Sequence, residues 1–300
     1  MNGWSGTALV LGVALLAVVG PLLAAGLLAW RKHLARARRR SPLTADLLRG
    51  PGDGLRGEID QLRDTIDTQL LSLAIAPVVI YALHVTQSYL FGVAESTFRT
   101  LCSVLAGVAV VSWSVWRVLV ASKRLDRLLI GLDAEIAVGQ ELDQLMSEGA
   151  RVFHDVPAEG FNVDHVVICA AGVYAIETKG RAKPIRGRGK ADARVNFDGA
   201  VLRFPTWTER QPAAQARRQA RWLQEWLSKA VGAPVAARPV LAIPGWWIDR
   251  PEHEPFLIYN GKKPQFLLKP RGESLPAQLR QQIAHQLEQR CRSVKPHYSK

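Results

Sequence analysis

The sequence predicts an α/β protein in which transmembrane helices precede a domain with a central mixed sheet flanked by helices. Three apolar runs, at about residues 4–30, 70–92 and 100–121, have the length of about 20 residues that a helix needs to cross a bilayer. After these runs, helix-like and strand-like patterns alternate, which is typical of helices packed on a sheet. We therefore predict a membrane region at 1–129 and a second domain at 130–300.

Positive charges predict how the apolar runs cross the bilayer. Arginine and lysine residues crowd the loop at 31–69 after the first run, and Lys123, Arg124 and Arg127 follow the third, whereas only Arg99 lies between the second and third. By the positive-inside rule the amino terminus lies outside, and the loop and the second domain lie in the cytoplasm. We expect a multi-pass protein of the inner, cytoplasmic membrane. The alternative for the later runs, a buried hairpin of a soluble protein, is disfavoured because they lack a polar face.

The first elements of the second domain follow from apolar periodicity. Apolar residues recur at helical spacing over 132–145 and predict a helix. Residues 151–156 have the pattern of a strand. The apolar runs 166–168 and 173–176 are typical of buried strands, and Ala171-Gly172 between them predicts a β-hairpin.

The remaining elements follow from turn residues and from the period of the apolar positions. They are a basic, glycine-containing loop at 179–190, a tight hairpin through Asp198-Gly199, a helix opened by Pro212 that runs to about residue 229, a buried strand at 239–243, two short strands at 255–268 around Asn260-Gly261, and an amphipathic helix at 274–292. This order of helices and strands predicts an α/β domain with a central mixed sheet.

The two strands of the first predicted hairpin bring two carboxylates and a lysine to one point, at the end away from the turn. Residues two apart on a strand point to the same face, so Glu177 and Lys179 project together. Asp164 on the neighbouring strand and Glu177 could bind one Mg²⁺ (or Mn²⁺), with the carbonyl oxygen of Thr178 as a third ligand. Lys179 would then stand beside a metal-activated water or a phosphate, which predicts hydrolysis of phosphodiester bonds. The alternative is a solvated strand edge, because Glu-x-Lys is common by chance.

Other candidate metal ligands give weaker signals. Glu135 lies near the apolar stripe of the first predicted helix and could face the strands, but periodicity alone favours an ordinary surface residue. His253 stands between prolines and is more typical of a loop. Cys102, Cys169 and Cys291 are far apart and form no Cys-x-x-Cys pair, so no structural zinc site is predicted.

Together these residues resemble the PD-(D/E)xK nucleases, and in particular the nuclease-related domain, NERD. The shared features are a Gly-x-x-x-Glu helix at 131–135, an Asp-His-Val-Val strand at 164–167, a Gly-Val-x-x-Ile-Glu-x-Lys strand at 172–179, and a helix with Pro and Gln at 211–215. The resemblance covers roughly 130–244. It implies a restriction-endonuclease-like fold and a Mg²⁺-dependent endonuclease whose catalytic residues are Glu135, Asp164, Glu177 and Lys179, supported by Gln215.

The charge of the second domain suits a polyanionic partner. Residues 131–300 contain 25 Lys and Arg and 18 Asp and Glu, a formal net charge of +7. Cationic side chains release condensed counterions from nucleic acid, and we expect DNA to be the partner. Attraction to the anionic inner leaflet of the bilayer explains the same charge equally well. The candidate phosphate contacts are Arg186, Arg188, Lys190, Arg217 and Arg218.

Three hypotheses about function follow from the sequence. The first is a membrane-anchored, metal-dependent nuclease. The second is a catalytically silent module that binds nucleic acid or transmits a signal on a nuclease fold, although such a module has no need of metal-binding carboxylates beside phosphate. The third is a membrane-bound regulatory or structural protein, which leaves the charges at the strand ends unexplained.

Overall fold

A computed structural model describes residues 12, 19–20, 23–35, 41–90, 96–183, 193–251, 256–270 and 272–296. The chain divides into two compact units. The amino-terminal unit consists of Met1–Thr44, Ile59–Asp126 and His297–Lys300. The other, the α/β unit, consists of Ala45–Glu58 and Arg127–Pro296.

Two long helices carry the second and third apolar runs. Helix α1 spans Asp53–Leu90 and helix α2 spans Thr97–Asp143. Within the described residues these two are long and apolar enough to cross a membrane. The first apolar run, at 4–30, lies mostly outside the described residues, and its described part at 23–30 is helical.

Both helices extend beyond the segments predicted for them. The sequence predicts a cytoplasmic loop at 31–69 with a short amphipathic helix at 58–70, whereas the structure has one continuous helix from Asp53 through this segment. The Asp53 carboxylate accepts a hydrogen bond from the Gly50 N–H (2.8 Å) and stands at the positive end of the helix dipole, which favours an early start. Helix α2 continues without a break into the helix predicted at 132–145, because no proline interrupts it.

Eleven strands and two further helices complete the described residues. The strands are β1 (Leu47–Leu48), β2 (Arg151–Pro157), β3 (Asn162–Cys169), β4 (Gly172–Thr178), β5 (Arg194–Phe197), β6 (Leu202–Arg203), β7 (Thr208–Glu209), β8 (Ala237–Ala242), β9 (Trp247–Asp249), β10 (Leu257–Tyr259) and β11 (Arg292–Val294). The helices are α3 (Gln211–Val231) and α4 (Ala277–Cys291), and short 3₁₀ turns span Gln144–Glu148 and Pro264–Leu268.

The central sheet has five strands in the order β10-β8-β4-β3-β2. Strands β2, β3 and β4 are antiparallel neighbours, while β8 is parallel to both β4 and β10. The sheet is therefore mixed, as the sequence predicts. Because β4 and β8 run in the same direction, their carboxyl ends lie at one edge of the sheet.

Helices cover both faces of the central sheet. On one face, α3 and α4 pack their apolar residues on alternate positions of β3 and β4, among them Ala220, Leu223, Leu227, Ile283 and Leu287. On the other face, Val138, Leu142 and Leu145 pack on the intervening positions. Successive side chains of a strand point to opposite faces, so the continuous apolar runs of β3 and β4 suit a sheet covered on both sides.

A second sheet has the order β7-β6-β5-β9. Its strands β5 and β6 form the hairpin predicted through Asp198-Gly199, and the Asp198 carboxylate accepts hydrogen bonds from the Ala200 and Val201 N–H groups in the turn. The side chains of this sheet share an apolar cluster with α3 and with the residues after β8.

The prediction of two short strands at 255–268 is wrong. One strand, β10, is followed by the 3₁₀ turn Pro264–Leu268. Pro264 has no N–H to donate to a ladder, and Lys263 before it adopts a left-handed backbone with φ of 53°. Both features end the extended chain after Asn260-Gly261.

The α/β unit includes residues that the sequence places in the loop before the second apolar run. Strand β1 pairs antiparallel with β11 near the carboxyl terminus of the unit. The Arg49 N–H also donates to the Cys291 carbonyl oxygen (3.0 Å). Residues 45–58 are thus an integral part of this unit.

Candidate active site

The residues predicted as catalytic come together at one place in the α/β unit. A cleft of about 570 Å³ is lined by Glu135, Asp164, Glu177, Lys179 and Gln215. Thr178, predicted as a metal ligand through its carbonyl oxygen, lies on the same wall. Glu135 reaches the cleft from α2, Gln215 from the start of α3, and the others from the ends of β3 and β4. Their roles as catalytic and metal-binding residues stay predictions.

Three acidic residues from neighbouring strands lie at one end of the central sheet. Asp155 of β2, Asp164 of β3 and Glu177 of β4 all line the cleft. The ladder between β3 and β4 ends at His165 and Ile176, directly beside Asp164 and Glu177. The ends of these strands therefore concentrate negative charge in the cleft.

Asp164 is attached to the backbone of the neighbouring strand. Its Oδ2 atom accepts a hydrogen bond from the Thr178 N–H at 2.6 Å. This bond takes the place of a ladder bond at the point where β3 and β4 separate. It fixes the Asp164 carboxylate beside the Glu177-Thr178-Lys179 segment.

Glu177 has one paired and one unpaired carboxylate oxygen. The residue is 1% exposed, and its Oε1 atom forms an ion pair with the Lys179 Nζ atom at 2.5 Å. Its Oε2 atom is buried and has no hydrogen-bond partner. A buried acceptor without a partner costs free energy, so this oxygen is free to receive a further cation or donor.

Burial and neighbouring carboxylates raise the affinity of Glu135 and Asp164 for protons. Burial, together with the negative charges of Asp155 and Glu177, raises the pKa of Glu135 to about 8, against the smaller opposing effect of Lys179. Burial and the charges of Glu177 and Glu135 also raise the pKa of Asp164 well above its usual range, although the Thr178 N–H and Lys179 oppose this. The cleft therefore favours a bound positive charge, either a proton or a cation.

The cleft supplies carboxylate oxygens, which are ligands that Mg²⁺ prefers. Among the described residues, no three His, Cys, Asp or Glu side chains form a cluster that could hold a metal ion by themselves. Mg²⁺ usually takes one or two carboxylates and completes its shell with water and substrate phosphate. Asp164 and Glu177, with its unpaired Oε2 atom, meet that requirement.

A close backbone approach sets the position of Glu135. A Cβ atom on Gly180 would lie 2.4 Å from the Ile130 carbonyl oxygen and 2.9 Å from the Ala134 Cβ atom. Only a glycine directly after Lys179 lets the chain pass this close to α2. Glu135, one residue after Ala134, is thereby brought to the cleft as an inward-facing residue and is 8% exposed. The interpretation of Glu135 as an ordinary surface residue is wrong.

Asp155 is a cleft residue that the sequence patterns did not reveal. It is 4% exposed and has a left-handed backbone with φ of 48°, which is uncommon for an aspartate inside a strand. Its Oδ2 atom accepts hydrogen bonds from Arg49 Nη2 (2.5 Å), Arg49 Nε (2.8 Å) and the Gly54 N–H (2.8 Å). The Asn162 Nδ2 atom donates to Oδ1 (2.8 Å). Residues 151–156 have an ordinary strand pattern, and Arg49 is too distant in sequence to signal the pair.

The predicted phosphate contacts are only partly described by the structure. Arg186, Arg188 and Lys190 lie outside the described residues. Arg217 donates to the Gly199 carbonyl oxygen (2.7 Å) and lies over the Phe256 ring at 4.6 Å, so it is attached to the hairpin and not to the cleft wall. Arg218 is exposed on α3.

The fold and the cleft together indicate the class of protein domain to which the α/β unit belongs. The α/β unit is a mixed sheet covered by helices, with an acidic cleft at the carboxyl ends of parallel strands and a lysine two residues beyond a buried glutamate. That combination fits a nuclease-like domain.

Comparison with known families agrees with this class. Residues 130–244 match the family model described as the nuclease-related domain, NERD, so this part of the chain is a nuclease-related domain. The family that the sequence motifs resemble is thus confirmed, and the match implies a nuclease-related function. The matched segment contains all five residues predicted as catalytic but not Arg49. Neither a curated protein nor a solved structure matches the chain.

The Arg49–Asp155 pair gives a stability prediction. The side chains are 19% and 5% exposed, so Arg49→Ala would leave a buried carboxylate unpaired among other carboxylates. Breaking such a pair costs about 3 kcal/mol, which corresponds to a decrease of about 6–12 °C in Tm for a unit of this size. Thermal unfolding of the full chain in detergent micelles measures the change.

The matched control is Arg203→Ala. Arg203 pairs with Asp198 at 2.7 Å, but these side chains are 51% and 37% exposed. Solvent screens exposed ion pairs and leaves them with little effect on stability, so the control should lower Tm much less than Arg49→Ala does. Equal shifts in the two variants would show that Arg49 does not hold the cleft together.

Proposed function

We propose that this chain is a membrane-anchored, metal-dependent nuclease that cleaves phosphodiester bonds of DNA. The observation that supports the proposal best is the cleft itself. It holds the buried carboxylates of Glu135, Asp155 and Glu177 together with the Asp164 carboxylate, and it contains the unpaired Glu177 oxygen and the Lys179 ammonium group. A structural role alone would not favour so much uncompensated negative charge, because each buried carboxylate costs stability.

Asp164, Glu177 and the Thr178 carbonyl oxygen would hold Mg²⁺ or Mn²⁺. When bound, the ion would lower the pKa of an attacking water and offset negative charge on the phosphate. Asp164 is oriented for this task by the Thr178 N–H, and Glu177 by its ion pair with Lys179.

Lys179 would stabilise the charge that develops on the phosphate. Its backbone N–H donates to the Ala242 carbonyl oxygen of β8 (2.9 Å), and its side chain is 21% exposed. The ammonium group is therefore held at the cleft wall and stays accessible from the cleft. Glu135 and Gln215 would orient the attacking water and the bound substrate from the two helices that border the cleft.

The second candidate is a catalytically silent module that binds nucleic acid or transmits a signal at the membrane. The Lys179–Glu177 pair is the specific observation in its favour, since that ion pair already neutralises part of the site without a metal. Cleavage assays distinguish the two candidates.

Exchange of one carboxylate for an amide tests the nuclease directly. Asn at 164 can still accept the Thr178 N–H, so Asp164→Asn keeps the shape of the site and removes ligand charge. Purified full-length protein in micelles should cleave labelled DNA with Mg²⁺ or Mn²⁺, and Asp164→Asn should abolish cleavage while binding of DNA stays equal or becomes tighter. Lys179→Ala should lower the rate by about 100-fold or more.

The matched control is Asp198→Asn. Asp198 also accepts backbone N–H groups, but it lies in the exposed β5–β6 turn away from the cleft. Its exchange should leave cleavage unchanged. Cleavage that survives in Asp164→Asn at the wild-type rate would contradict the proposal, and binding without any cleavage by the wild type would favour the silent module.

We propose that the first apolar run, α1 and α2 all cross the inner membrane, with the amino terminus outside and the α/β unit in the cytoplasm. The apolar stretches of α1 and α2 and the positive charges after the first and third runs support this arrangement. A phosphatase reporter that is active only outside the cytoplasm should be inactive after Lys300 and active when inserted between α1 and α2. Activity at Lys300 would refute the orientation.

A further inference from the structure

A second cavity lies beside the cleft edge of the sheet and has a different chemical character. It has a volume of about 390 Å³ and is lined by Ala193, Arg194, Gly245, Trp246, Trp247, Asn260 and Lys262. Among these residues, the large apolar surface comes from tryptophan, and the charged side chains are all cationic. No role in the carboxylate site accounts for it.

Trp247 presents its indole to solvent. The side chain is 63% exposed, whereas the preceding Trp246 is 1% exposed. Trp247 belongs to β9, and its Cα partner on the parallel strand β5 is Arg194. The neighbouring strands β5 and β9 therefore place Arg194 and Trp247 side by side.

Trp246 makes the floor of this cavity rigid. Its ring packs edge-on against Phe204 and Trp207, with centroids 4.9 Å and 5.9 Å away. Its Nε1 atom donates to the Arg181 carbonyl oxygen (3.1 Å). Because Trp246 is buried and hydrogen-bonded, the backbone of the adjacent Trp247 has little freedom to move. The position of the exposed Trp247 is therefore fixed by the fold.

The cavity is joined to the candidate active site through the chain itself. Arg181, whose carbonyl oxygen receives the Trp246 indole N–H, is two residues beyond Lys179. Two residues span at most about 7 Å of chain. Thr178 and Ala242 are also register partners on β4 and β8, and the chain after β8 leads directly to Trp246.

Cationic side chains lie near both tryptophans of the cavity. Lys183 lies over the Trp246 ring at 5.8 Å, and Lys262 and Arg194 are exposed. The Arg194 Nη1 atom forms a long ion pair with the Asp249 Oδ2 atom, at 3.4 Å. The Oδ1 atom of Asn260 accepts the Lys262 N–H (3.1 Å), which leaves the amide NH₂ group to face a ligand.

We propose that this cavity binds an unpaired nucleotide, with the base stacked on Trp247, its edge at the Asn260 amide and its phosphate at Arg194 and Lys262. A base offers a flat π surface to an indole, and stacking of this kind tolerates any base sequence. A base inside a duplex is already stacked on its neighbours, so the site selects single-stranded or locally opened nucleic acid. The inference rests on the proposed nuclease function and specifies its substrate class.

Binding of labelled oligonucleotides tests the stacking site without relying on cleavage. The full chain carries Asp164→Asn so that the probes stay intact, and fluorescence anisotropy compares a single-stranded DNA probe with the matching duplex. Trp247→Leu should weaken binding of the single strand by about 5- to 100-fold. Trp247→Phe should keep most of the affinity, because it keeps an aromatic face. Duplex affinity should change little in either variant.

Met146→Ala is the control, because Met146 is also an exposed apolar residue of the α/β unit and does not line the tryptophan cavity. It should not change affinity. Equal losses for single strand and duplex, or full affinity in Trp247→Leu at unchanged Tm, would overturn the stacking site. Trp247-dependent binding by a protein whose wild type never cleaves would keep this site and refute the nuclease. Cleavage by a protein whose DNA binding does not depend on Trp247 would support the nuclease and refute the stacking site.

Discussion

Crowding of carboxylates in a poorly solvated cleft is the constraint on which the rest of the site depends. Asp155, Asp164 and Glu177 line one cleft where β2, β3 and β4 come together, and Glu135 enters it from α2. Two ion pairs offset part of this negative charge, one between Arg49 and Asp155 and one between Lys179 and Glu177. Burial, together with the remaining negative charge, raises the pKa of Glu135 and of Asp164. A bound cation would relieve the same repulsion.

The segment Ala45–Glu58 links the cleft to the helix that carries the second apolar run. It supplies Arg49 and the Gly54 N–H to Asp155, and it begins α1 at Asp53. A soluble fragment that starts at Ile130 would lose both donors and leave Asp155 uncompensated. The nuclease-related domain of this chain therefore needs a piece of sequence from outside the segment that matches the family model.

Local patterns predicted most of the fold and the centre of the site. The period of apolar residues identified β2, β3, β4, α3 and α4, and Asp198-Gly199 identified a hairpin. The motif residues converged because a strand alternates its faces and because the hairpin sets the register. Asp155 and Arg49 could not be predicted, since their pairing depends on a contact 106 residues apart along the chain. The turn at Pro264 was missed because the left-handed Lys263 leaves no pattern in the sequence.

Proton release on metal binding tests the central claim most directly. Glu135, with a pKa of about 8, is largely protonated at pH 6, so a cation that binds in this cleft must displace protons. Calorimetric titration of the full chain with Mn²⁺, in buffers of different ionisation enthalpy, should show proton release at pH 6 and tighter binding at pH 8. Asp164→Asn should remove the binding. Mn²⁺ binding that is independent of pH and releases no protons would contradict the account.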